Sequence, residues 1–122
     1  MKDYSNRSDF EINKLIAVEL APDGYIGINE STRSDSEVVV TTENGEGCTK
    51  NSYVDYCNNP SDAWPIIFSS RTMLNPYCAD ELWKAEVPCG FDGFVKAYAT
   101  CYHRNPLRAA MIVFLMMHGE AK

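Results

Sequence analysis

The stretch of this sequence that most restricts the fold is its carboxy-terminal helix, which is apolar almost all the way round. Its ends are well marked: Asn105 can cap it, Pro106 suits the first helical position, and Gly119 follows the last apolar residue. His118 falls in the last turn, where positive charge is favoured. Leu107, Met111, Phe114 and Leu115 form one face, and Ile112, Val113, Met116 and Met117 cover most of the rest. The unbroken apolar run, Ala109 to Met117, is nine residues long, whereas a membrane span needs about 20. Such a helix must be buried on two sides, or buried on one and covered by a partner on the other. If one face packs on a sheet, either Val113 and Met117 or Met111 and Leu115 still need cover, with about 1.5–3 kcal/mol at stake per side chain. The first or second helix could supply that cover within a monomer. A homodimer through this surface is the preferred expectation.

What precedes this helix must therefore wrap it. At 122 residues the chain can bury one ordinary core, so a single domain over 1–122 is expected. A first helix is predicted over 8–21. Ser8 is its N-cap, Glu11 stands at the capping-box spacing, and Ile12, Leu15, Ile16 and Leu20 recur at helical intervals until Pro22-Asp23-Gly24. Tyr25 to Ile28 and Glu37 to Thr42 read as strands, the second for its β-branched Val38, Val39 and Val40, with a polar loop from Asn29 to Ser36 between them. Asn44-Gly45 predicts a two-residue type I′ turn that returns along Cys48 to Val54. A second helix over 60–70 begins from Asn59 and Pro60, and Pro65 within it predicts a kink or a tighter first turn. Arg71 to Leu74 and Leu82 to Val87 read as strands parted by Asn75-Pro76, and Pro88 to Thr100, with Gly90 and Gly93, reads as loop. The fold class is α+β: a small, mainly antiparallel sheet of three or four strands, sandwiched or covered by three helices, the third over 105–118.

Several functions are disfavoured by composition. Eleven Lys and Arg against 17 Asp and Glu give a net charge of −6, and the cations are scattered. Direct nucleic-acid binding through a basic surface needs clustered cations and is not expected. No targeting segment or membrane-length run is visible, so a cytoplasmic protein is expected. Cys48, Cys57, Cys78, Cys89 and Cys101 are odd in number, lack a C-x-x-C pair, and read as free thiols. A zinc site from Cys78, Cys89, Cys101 and His103 is weaker than that reading, because zinc ligands come in close pairs and these thiols stand 11 and 12 residues apart. Cys57 lies near a helix amino terminus, which can lower a thiol pKa, so a Cys57–His103 nucleophile is conceivable but has no local signature. Glycines form no phosphate loop and serines no nucleophile elbow. Asp80, Glu81 and Glu86 flank Trp83 in an alternating segment and read as a solvated face rather than a Mg²⁺ site. No cofactor, metal or enzymatic activity is expected, least of all nuclease, phosphatase or ATPase.

Three segments carry a family resemblance. Asp3-Tyr4-Ser5 leads into Ser8-Asp9-Phe10-Glu11-Ile12-Asn13-Lys14; Cys57-Asn58-Asn59-Pro60-Ser61-Asp62-Ala63-Trp64-Pro65-Ile66-Ile67 follows; Asn105-Pro106-Leu107-Arg108 opens the final helix through Met117. In order and spacing they resemble the NinX family of lambdoid phages and their prophage relatives, with Ser31 to Tyr53 unmatched. The layout also resembles small phage domains in which helices sandwich a sheet. This resemblance implies a phage or prophage product acting in the host cytoplasm. It implies no activity, and it carries over no catalytic residues.

The candidate binding residues are Asp62, Trp64, Trp83, Arg104 and Arg108, since Trp and Arg are over-represented at binding hot spots. Arg104 and Arg108, four apart, are expected on one face at the start of the third helix. The plainer reading packs Trp64 and Trp83 into the core and pairs Arg108 with Asp62 or a helix end. Two functions follow from these residues. The first is a non-catalytic module that binds a host or phage protein. The second is a binder of a nucleotide-like small molecule in a pocket between protomers.

Overall fold

A computed structural model describes residues 4, 6–21, 25–77, 81–92 and 95–118. Three helices form where the capping chemistry placed them. In α1 (Asp9–Glu19) the Ser8 hydroxyl accepts the Glu11 N–H at 3.1 Å. In α2 (Pro60–Ser70) the Asn59 side chain accepts the Ser61 N–H at 2.9 Å. In α3 (Pro106–His118) Asn105 Oδ1 accepts the N–H groups of Leu107 and Arg108 at 2.9 and 3.3 Å. Each contact satisfies amide donors that a first turn leaves without a helical acceptor. Pro65 remains inside α2 and is exposed, so its ring turns to solvent; its cost is the i+4 donor of the Ser61 carbonyl.

The strands build two antiparallel sheets of three rather than one sheet of three or four. In the first, β2 (Val38–Glu43) lies between β1 (Tyr25–Glu30) and β3 (Thr49–Val54). In the second, β5 (Leu82–Asp92) lies between β4 (Met73–Tyr77) and β6 (Val95–His103). Helix α1 packs on β1 and β2, and α3 lies between the second sheet and the pair α1, α2. The buried side chains form one cluster running through all these layers. Helix α1 thus covers the first sheet and α3 the second, the α+β arrangement of helices on small antiparallel sheets.

Four local expectations change. The β2–β3 turn is a three-residue loop, Gly45-Glu46-Gly47, closed by the Asn44 N–H on the Cys48 carbonyl at 2.9 Å. Its left-handed residue is Gly47 (φ 82°), the pattern of a type I turn with a G1 bulge, instead of a type I′ turn at Asn44-Gly45. Asn75-Pro76 lies within β4, an edge strand where a missing N–H is tolerated, while Arg71 (φ 55°) ends α2. Pro88 to Thr100 is mostly strand, because a register shift between Pro88 and Gly90 absorbs the proline that suggested a loop. Asn29 and Glu30 extend β1 into the segment read as loop. Pro22-Asp23-Gly24 and Gly119, read as helix stops, lie outside the described residues.

Helix α3 finds its cover within the chain. Every residue from Ala109 to Leu115 is buried, between β5 and β6 on one side and α1 and α2 on the other. This is the cover that the first and second helices were expected to supply within a monomer, while Met116 and Met117, near the end of α3, stay half-buried.

Candidate functional site

The loop from Asp55 to Asn59 connects β3 to α2, and the amino-terminal ends of all three helices meet around it. At its centre is Asn13, fully buried on α1. Its Nδ2 donates to the Ser36 carbonyl and to Asp55 Oδ1, both at 2.8 Å, and its Oδ1 accepts the Cys57 N–H at 3.0 Å. Ser36 Oγ donates to Asp55 Oδ2 at 2.6 Å, and Asn58 Nδ2 donates to Asp9 at 3.1 Å and to Asp55 at 3.2 Å. From the other side Asn105 Nδ2 donates to the Cys57 carbonyl at 2.7 Å. Arg108 closes the ring: Nη1 meets Asp9 Oδ1 at 2.6 Å and Nη2 the Arg7 carbonyl at 2.5 Å. Three positive helix ends converge on one locus, with Asp9, Asp55 and Asp62 supplying the complementary charge. The three segments that carry the family resemblance meet at this cluster. Most of its donors and acceptors bond to one another, which makes it a clamp on the fold.

Cys57 belongs to the clamp, and its environment reverses the expected thiol activation. The side chain is fully buried, and that burial, then the Asp9 carboxylate, pushes its thiol far above the ordinary value near 9. Cys48, Cys57 and Cys101 are free thiols; Cys78 lies outside the described residues. Of the acids flanking Trp83, Glu86 is bound to Thr100 at 3.3 Å and Lys84 at 3.4 Å, Glu81 sits in a turn with φ 56°, and Asp80 lies outside the described residues.

His103 stands at the rim, where its Nδ1 accepts the Asn105 N–H at 2.9 Å. Burial, then the neighbouring Arg108 guanidinium, pulls its pKa below the usual 6.5. The unfolded chain therefore takes up this proton first as the pH falls. This contribution to stability is complete above pH 6.5 and is lost as pH drops through the lowered value. Urea midpoints measured between about pH 7.5 and 5.5 should fall, and should fall less for His103→Asn, whose amide oxygen stands where Nδ1 does and can still accept from Asn105. Equal slopes for the two chains would refute this.

The five sequence-chosen residues do not share a pocket. Asp62 turns inward, its Oδ2 accepting the Asp55 N–H at 2.9 Å. Trp83 is half-buried on β5 opposite His103. Arg104 is exposed and precedes the cap, so it is not on the face of α3 with Arg108, which is buried against the first turn of α1. Trp64 is not in the core: it is 60% exposed, and Phe68, one turn on, is 72% exposed, their ring centroids 6.2 Å apart. Together with Ile67, Arg71, Thr72 and Leu74 they line a groove of about 530 Å³ between α2 and β4. Phe68, Arg71 and Leu74 were missed by sequence reasoning; the signal was Ser61, Trp64, Pro65 and Phe68 falling on one helical face.

The sequence model of the family described as bacteriophage P22, NinX matches residues 3–118. No curated protein matches the chain.

Proposed function

The chain belongs to the bacteriophage P22 NinX family, and from that premise we propose a phage accessory protein that acts in the host cytoplasm without catalysis, by binding another protein through the outer face of α2. The observation that carries this reading is the exposed pair Trp64 and Phe68. Large aromatics are mostly buried, and each left in water forgoes about 1.5–3 kcal/mol, so two together on a chain with a complete core favour a contact surface. Support also comes from Cys57, whose burial and raised pKa remove the least implausible nucleophile. No helix among the described residues is long and apolar enough to cross a membrane. A nucleotide-like ligand is the second reading, favoured by a groove volume within the range of small-molecule sites. It would stack on Trp64 beside Arg71, because Arg108 is committed to Asp9 and Arg7.

Affinity capture of the tagged chain from infected host cells tests the proposal. The native chain should recover a stoichiometric protein, and the double variant Trp64→Ala/Phe68→Ala should lose it while changing stability by only about 0.5–1 kcal/mol. Equal recovery by both chains overturns it, as does a co-purified metabolite without a protein.

A further inference from the structure

The groove between α2 and β4 has a charge character opposite to that of the chain that carries it. Arg71 is the only charged residue lining it among the described residues, on a protein of net charge −6. Arg7, Arg33 and Arg108 each meet a carboxylate, at 3.3, 3.1 and 2.6 Å. Arg71 has no such ion pair among the described residues, although its backbone is fixed as the left-handed end of α2. Asp62, the acid in the first turn of the same helix, is turned away toward the Asp55 N–H. Among the described residues, the Arg71 guanidinium thus stands beside Trp64, Phe68 and Leu74 with no acid lining the groove. Charges farther off than about 8 Å are screened at physiological salt, so the local cation decides what the groove accepts. Pro65 adds a third element, a Ser61 carbonyl without its helical donor on the exposed face that carries both aromatics.

We propose that this groove takes an acidic, apolar peptide segment of a partner protein, with a bulky apolar side chain against Trp64, Phe68 and Leu74 and a carboxylate on Arg71. The proposal rests on the protein-binding reading above and adds the chemistry of the partner. A peptide N–H donates to the Ser61 carbonyl, and the Arg71 fork receives an Asp or Glu in two parallel bonds. A basic segment would meet Arg71 with like charge, and is rejected by the same feature.

The test is selection of random 12-residue displayed peptides against the full chain, with binding of the enriched sequences then measured as synthetic peptides. Enriched sequences should pair a large apolar residue with Asp or Glu. Arg71→Glu should weaken them by about tenfold, and replacing the peptide acid by Lys should restore binding to that variant. Enriched peptides without acids, or affinities within about twofold in Arg71→Glu, overturn the carboxylate assignment. If such peptides still need Trp64 and Phe68, the protein-binding reading survives that failure. Peptides that bind Trp64→Ala/Phe68→Ala as well as the native chain overturn both, as does a failure to enrich any sequence over that variant. A sedimentation dimer abolished by Phe68→Ala would make a second copy the occupant and overturn the peptide.

Discussion

Asn13→Leu is expected to lower stability by about 3–5 kcal/mol, a large part of the 5–15 kcal/mol typical of a domain. Asn13 is fully buried, and its amide has only one workable orientation. The Ser36 carbonyl and the Asp55 carboxylate need donors, and the Cys57 N–H needs an acceptor, so NH₂ faces the first two and the oxygen faces the third. Leucine keeps the approximate volume and removes all three bonds. The Cys57 N–H and Ser36 carbonyl then lose these partners at about 1–3 kcal/mol each, and Asp55 keeps only Ser36 Oγ, Asn58 and its surroundings. The thermal midpoint should fall by roughly 10–20 °C. Thr41→Val deletes a bond of 2.9 Å to Asn51 on an exposed sheet face, and should cost no more than about 0.5 kcal/mol. Similar losses for the two variants would show that Asn13 does not hold the helices together.

The contrast between those two residues also separates what the sequence makes legible from what it hides. Helix ends were legible because a cap is local: Ser8 and Glu11, Asn59 and Ser61, Asn105 and Leu107 lie within three residues of each other. The burial of α3 was legible because its apolar residues leave no polar face. The partners of Asn13 were not, since Ser36, Asp55 and Cys57 lie 23, 42 and 44 positions away. Sequence offers only the hint of an amide beside Ile12 on an amphipathic helix. Strand errors had another source. Pro76, Pro88 and Gly90 were read as punctuation, while an edge strand and a register shift absorb them. Trp64 was hidden by its own composition, because a tryptophan is weighed as core until the inward stripe of α2 proves to be Ala63, Ile66 and Ile67.

The clamp and the groove divide the family's segments between two tasks, as the alkaline behaviour of the chain makes measurable. Tyr56 and Cys57 sit side by side at the start of the clamp, both buried. Burial, then the Asp62 carboxylate, pushes the Tyr56 phenol from 10.0 up to about 12, and burial, then Asp9, raises the Cys57 thiol further still. The folded chain keeps both protons under conditions where the unfolded chain releases them. Stability is therefore full below pH 9 and falls as pH rises, first through the thiol and then, above pH 10, through the phenol as well. Each group contributes about 1.4 kcal/mol per pH unit in its window, so by about pH 11 the loss reaches up to about 4 kcal/mol. Unfolding in urea followed from about pH 8 to pH 11 should show this decline. In Cys57→Ala the slope should be shallower by about 1.4 kcal/mol per pH unit above pH 9, because the substitution removes this one titrating group and no other. Peptide binding at the Trp64–Phe68 groove should stay constant over the lower part of that range, since neither Tyr56 nor Cys57 lines that groove. Parallel slopes for the native and Cys57→Ala chains would mean that the thiol ionises as freely in the fold as outside it, and that the loop around Asn13 is open to water.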